Sequence, residues 1–135
     1  MSIQRDGIFD MNKLQILVIP FNLPELNETL HLAKTHWSKY AAMKKQYTHA
    51  IAILSKQKLR PVQGPISIAF HWYYPNKRRD PDNISSSGRK LILDGLVAAK
   101  ILENDGWNHI SGFSDTFYID KQNPHVEIEI SEIKT

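Results

Sequence analysis

Two aspartates separated by a proline, Asp80-Pro81-Asp82, follow directly on Lys77-Arg78-Arg79 and precede Asn83. Proline disfavours the α region for the residue before it, so Asp80 is expected in an extended conformation. Side chains at i and i+2 of an extended chain point the same way, so Asp80 and Asp82 are expected to aim at one spot. Two carboxylates at one spot repel unless a cation lies between them. A hard divalent cation with oxygen ligands, typically Mg2+, is the candidate. The three basic residues would offset that repulsion or hold a phosphate. Asp, Pro and Asn are equally the residues of turns, so by itself the motif also reads as a turn.

Further along, Lys90 and Asp94 stand four apart and share a helix face, and Asn104-Asp105-Gly106 follows. A helix of about 12 residues would carry Asp105 some ~18 Å from the aspartate pair, at roughly 1.5 Å per residue. Asp105 joins the site only if its loop folds back or a second chain supplies the complement. The Lys90–Asp94 pair also reads as an ordinary helix ion pair. His109 is near Asp105 in sequence and is a candidate for touching a phosphate or a metal, or a plain surface histidine. His71 is expected to be structural among aromatics.

These residues need elements to hold them. Leu14–Pro20 is a short apolar run closed by proline and reads as a strand. A loop follows over Phe21–Asn27, with Asn27 or Thr29 expected to cap a helix. That helix runs from Leu30 to Lys56, with Ala33, Trp37, Tyr40, Tyr47, Ile51 and Leu54 on one face. Its aromatics could stack on bases, but their spacing places them first in the core. Arg60–Pro65 is a turn, and Ile66–Tyr74 alternates as a half-buried strand. Asn76–Gly88 is polar and serine-rich, so the second helix is expected to begin near Ser87 and run through Leu91–Leu102. Glu103–Gly112 reads as a loop, and Phe113–Ile119 and Val126–Ile133 as strands. The order predicts one α+β domain over 1–135, a small mixed β-sheet with helices packed on one face. Residues 1–13 are expected to be an N-terminal tail.

The chain has 135 residues, no cysteine and a formal net charge of +3. Disulfide scaffolds, thiolate zinc sites and cysteine nucleophiles are excluded. No apolar run reaches the roughly 18–20 residues of a membrane helix, and Met1–Met11 lacks the apolar core of a secretory signal. A cytoplasmic location without membrane partners is expected. The charge is unevenly placed. No Asp or Glu occurs between Glu28 and Asp80, while Lys34, Lys39, Lys44, Lys45, Lys56, Lys58 and Arg60 do. Near the C-terminus Asp115, Asp120, Glu127, Glu129 and Glu132 reverse the sign. Such asymmetry fits a basic face for a polyanion, or a solvated helix surface. The phosphate-contact candidates are Lys39, Lys44, Lys45, Lys56, Lys77, Arg78, Arg79 and Arg89.

Taken together, Arg79-Asp80-Pro81-Asp82-Asn83, then Lys90 with Leu93-Asp94-Gly95-Leu96, then Ile101-Leu102-Glu103-Asn104-Asp105-Gly106 resemble the RusA family of Holliday-junction resolvases. Leu23-Pro24-Glu25-Leu26-Asn27, followed by a basic helix with Met43-Lys44-Lys45, resembles the start of the phage-type members. The resemblance spans residues 15–130 and rests on the combined spacing, since each piece alone is unspecific. It implies a homodimer that cuts four-way DNA junctions with Mg2+ or Mn2+. It implies Asp80, Asp82 and Asp105 as the essential, metal-holding carboxylates and Lys90 as the essential lysine. The stretch between Asp82 and Lys90 is longer than in the founding members, so Arg89 competes with Lys90. Where the family often carries two acidic residues, this chain has Asn104-Asp105. A DNA-binding module without catalysis, a nuclease for forks or other branched DNA, and a structural assembly protein remain alternatives.

Overall fold

The computed structural model describes residues 9–133. The chain is α+β, with a four-stranded mixed sheet and three helices. In chain order these are β1 (Phe9–Ile19), α1 (Leu26–Thr35), α2 (Trp37–Lys58), β2 (Ile66–Tyr74), α3 (Pro81–Ala98), β3 (Ile110–Ile119) and β4 (His125–Ile133). The sheet order is β1-β4-β2-β3. β4 runs antiparallel to both β1 and β2, and β3 lies parallel to β2. A parallel pair needs a long crossover, and α3 provides it.

Strand β2 shows why the helices lie on one side. Ile66, Ile68, Phe70 and Trp72 are fully buried, whereas Ser67, Ala69, His71 and Tyr73 between them are not. From the same face of the sheet, Leu17, Ile19, Val126, Ile128 and Ile130 close the core against Ile51 of α2 and Ile84, Leu91, Ile92 and Leu96 of α3. On the opposite face Ile16 and Val18 are about half exposed. There Tyr73 stacks between Tyr118 and His125, with ring centroids 4.4 and 4.2 Å apart.

Several boundaries differ from the sequence reading: α1 begins at Leu26 rather than Leu30, α3 ends at Ala98 rather than Leu102, and β3 begins at Ile110 rather than Phe113. The expected tail over 1–13 is shorter, because β1 reaches back to Phe9, which pairs with Ile133; residues 1–8 lie outside the described residues. The long first helix is two helices, broken at His36 with φ −146° and ψ 79°. No glycine or proline marks that break. Neither Asn27 nor Thr29 caps α1: the buried Glu25 does, its Oε1 accepting from the Glu28 N–H at 2.7 Å. Helix α3 starts at Pro81, six residues before the expected Ser87.

The serine-rich stretch is helical because small residues are what fit there. Ser85, Ser87 and Gly88 are buried where α3 crosses β2. A Cβ at Gly88 would lie 2.6 Å from the Trp72 ring. One at Gly95 would lie 2.5 Å from Ile51 Cγ2, where α3 crosses α2. Pro81 at the first helical position leaves no N–H unsatisfied. The helix ends with Lys100 at φ 61°, while the Ile101 N–H donates to Leu96 O and the Lys100 N–H to Val97 O, both at 3.0 Å. This left-handed cap turns the chain sharply back.

Candidate active site

Asp80 is the residue before α3, with φ −74° and ψ 142°, as the following proline requires. Its carboxylate makes no capping hydrogen bond. Asp82 lies one residue inside the first turn, where the helix dipole favours a negative charge. The expected extended pair therefore does not form: Asp80 is extended, but Asp82 belongs to the helix, and the i, i+2 alternation ends at Pro81. Both carboxylates are exposed, and among the described residues neither is in an ion pair. Asp80 borders a cavity of about 260 Å³ lined also by Lys77, Arg79, Trp72, Tyr74 and Phe117.

Asp105 is elsewhere. The turn at Lys100 sends the chain back along α3, and Asp105 Oδ2 comes to rest 3.4 Å from Lys90 Nζ. The same ammonium lies 3.1 Å from Asp94 Oδ1. Lys90 thus bridges two carboxylates from one chain, so the loop does fold back without a second subunit. The Asp94 hydrogen bond, joined by the charges of Asp94 and Asp105 and the Asp105 hydrogen bond, outweighs the opposing effect of burial and raises the Lys90 pKa above its ordinary value. Lys90 is a fixed cation near neutral pH and is no general base. Asp82, Ser86, Lys90 and Asp94 form an i, i+4 row along α3. At roughly 1.5 Å per residue, Asp82 is about 12 Å from Lys90 along the axis.

The carboxylates suit a hard divalent cation in chemical type. In position they do not form one ligand set: among the described residues no three His, Asp or Glu side chains gather closely enough to hold an ion. The structure therefore divides the expected triad into an outer pair at the helix start and a third member clamped by Lys90.

Arg89, the competitor of Lys90, turns the other way. Its guanidinium lies 5.2 Å from the Phe113 ring centroid and 3.8 Å from Asp115 Oδ2, under β3. Asp115 also accepts from Trp72 Nε1 at 2.9 Å. Arg79 is held by Glu28, Nη2 to Oε1, at 2.6 Å, so its charge is partly neutralised. Lys77 and Arg78 are exposed near Asp80, and Lys39 is exposed on α2. Lys44, Lys45 and Lys56 line one groove of about 630 Å³ along α2, together with Trp37 and Asp94. Asp94 links that groove to Lys90.

Trp37 overturns its assignment to the core: it is 68% exposed and packs on Tyr40 at 5.2 Å between centroids. Tyr47 does pack against the core, beside Phe21. His109 faces Glu103 at 3.9 Å. His71 sits on the open face of the sheet and bonds Glu129 at 2.6 Å and Tyr118 at 3.2 Å. Sequence reasoning passed over two residues here. Asp94 counted only as the partner of a helix pair, yet it also borders the basic groove. Trp107, two residues after Asp105, is almost wholly exposed; a tryptophan directly after Asp-Gly in a loop was the available signal. Among known proteins, no family model matches the chain and no curated protein matches it.

Proposed function

We propose that this protein is an endonuclease that hydrolyses phosphodiesters in branched DNA, the four-way junction foremost, and acts as a homodimer. The observation that carries the reading is the return of Asp105 to Lys90, on the helix whose start presents Asp80 and Asp82. It sets a permanent cation beside carboxylates, next to a groove lined with lysines. The resemblance to RusA-type resolvases rests on these same residues. In this reading Lys90 holds a non-bridging phosphate oxygen and stabilises the charge that grows there as a water attacks phosphorus; the bond to the leaving oxygen then breaks, and that oxygen takes up a proton as the water gives one up. Asp94 and Asp105 keep the ammonium charged and aimed. Lys44, Lys45 and Lys56 position the backbone without reading sequence.

Dependence on Mg2+ or Mn2+ is part of the proposal. Mg2+ is commonly bound through one or two carboxylates plus substrate phosphates, and Asp80 and Asp82 are the residues offered for it. Two opposed strands must be cut to resolve a junction symmetrically, and a C2 dimer supplies two sites related as those strands are.

The test is cleavage of a labelled four-way junction, a fork and a linear duplex, with and without Mg2+, by the wild type and Asp82→Asn. Cutting of branched DNA only with the cation and only by the wild type is expected. Binding without cutting under all conditions would make the chain a DNA-binding module. Light scattering at micromolar concentration is expected to give twice the 15.6 kDa chain mass.

A further inference from the structure

Trp107 is 98% exposed, more than any other large apolar side chain among the described residues. An indole on a flexible loop would collapse onto the nearest apolar surface. This one is held out by backbone. The Gly106 N–H donates to Asn104 Oδ1 at 2.9 Å, and the His109 and Ile110 N–H groups both donate to Gly106 O at 3.0 Å. The Ile66 N–H donates to His109 O at 2.9 Å, which fastens the loop to β2. On its other side the loop is tied to α3 through Asp105 and Lys90. The chain therefore maintains an aromatic face in water, a state that burial against a partner relieves.

The surroundings narrow the partner. Trp107 and Phe113, itself 41% exposed, line one open cavity of about 460 Å³ with Asp105 at its rim. Two flat rings suit a flat occupant. Asp105 is the charged residue of the cavity's lining; behind it the Lys90 ammonium lies 3.4 Å from the Asp105 carboxylate, and the Arg89 guanidinium lies 5.2 Å from the Phe113 ring centroid. Every nucleobase has a flat face that stacks on such rings, whatever the sequence of the strand. A base inside a duplex has both faces covered by its neighbours. Only an unpaired or unstacked base can lie against the indole.

We propose that Trp107 stacks on an unpaired nucleobase beside the phosphate held at Lys90, and so gives the protein its preference for strands opened at a branch over intact duplex. The proposal rests on the nuclease reading above and adds the residue that selects the substrate. The loop geometry makes Trp107 a preformed platform, so stacking costs little ordering.

The test compares the wild type, Trp107→Ala and Trp107→Phe, without divalent cation so that nothing is cut. Affinity is measured for a synthetic fork and for a linear duplex of the same length. Trp107→Ala is expected to weaken fork binding about tenfold and leave duplex binding unchanged, with Trp107→Phe recovering most of the loss. In a Trp37→Phe background, where the remaining tryptophan, Trp72, is buried, indole emission is expected to fall on adding the fork and not the duplex. A fork-to-duplex ratio unaltered by Trp107→Ala, or an equal loss for both, overturns this inference and leaves the nuclease reading standing. A dimer that dissociates in Trp107→Ala overturns it too, by assigning the indole to the subunit interface. Failure of the wild type to bind any DNA overturns both.

Discussion

The start and the middle of α3 carry the same acid chemistry in two electrostatic conditions. At the start, Asp80 and Asp82 are exposed and in no ion pair among the described residues, with Asp82 in the first turn where the helix dipole favours it. Eight residues on, Lys90 takes up both Asp94 and Asp105. The outer pair has its charge available to a cation from solution. The inner pair has its charge committed to an ammonium that is itself 59% exposed, and the three groups together carry a net charge of −1. One helix thus carries free carboxylates at its start and paired ones in its middle, about 12 Å apart along its axis.

The sharpest way to break that comparison is to remove the ammonium. Lys90→Ala is expected to lower the cleavage rate on the order of 10²–10³-fold while leaving junction affinity within a few fold, as loss of one transition-state contact does. Single-turnover kinetics on a labelled junction checks it. Asp94→Asn is expected to lose less, because Asp105 still holds Lys90.

A second perturbation moves the helix rather than its charges. Gly95→Val drives two carbons into Ile51, already 2.5 Å from an added Cβ. It is expected to lower stability by about 1–3 kcal/mol, read as a fall in the urea midpoint. The opposite sign is expected at the turn that brings Asp105 back. Lys100 adopts φ 61° with a full side chain, and Lys100→Gly should gain about 1 kcal/mol by relieving that conformation. Cleavage at the wild-type rate in Lys100→Gly would show that the turn, and not its lysine, places Asp105.

Much of this frame was legible. β2 is bounded at Ile66 and Tyr74 as its alternation dictates, and β4 starts one residue early because His125 pairs with Tyr73. What was hidden depends on contacts distant in sequence. Ser85, Ser87 and Gly88 read as loop residues until they are known to be buried, Gly88 against Trp72. The break at His36 has no local signal. Counting rise along an axis placed Asp105 at a remote helix end. It could not foresee a left-handed residue at Lys100, a conformation that L-residues other than Gly, Asn and Asp rarely take. Lys90 could be paired with Asp94 from spacing alone, whereas its second carboxylate required the fold.

A smaller effect separates the basic groove from the α3 row. Lys44→Ala with Lys45→Ala is expected to weaken every DNA shape alike and reduce the salt dependence of binding by about two units if both lysines meet phosphates. A salt slope equal to the wild type's would place the DNA path elsewhere. The smallest effect lies on the other face of the sheet and serves as its control. Burial pushes the His125 pKa down, but the Asn123 carbonyl and the Glu127 carboxylate outweigh it and hold the pKa above its ordinary value. Its stabilising contribution is therefore complete below the unfolded value of about 6.5 and is lost as pH rises through the higher folded value. Thermal melts from pH 5.5 to 8.5 should show this decline, and Glu127→Gln should flatten it without touching cleavage.

The sheet order has a consequence for how the molecule is made. β4, the last of the described strands in chain order, is seated between β1 and β2. Until His125–Ile133 leaves the ribosome, β1 has no neighbour and β2 has only β3 beside it. The nascent chain must therefore carry β1 unpaired while α1 to β3 are made, and close the sheet through a long-range step once β4 follows. The pairing of β2 with β3 and the packing of α2 on α3 are the tertiary contacts of size that can form before it. Stalling or clipping inside β4 would leave two unpaired strand edges at once, and a chain in that state is a substrate for chaperones or a seed for aggregation.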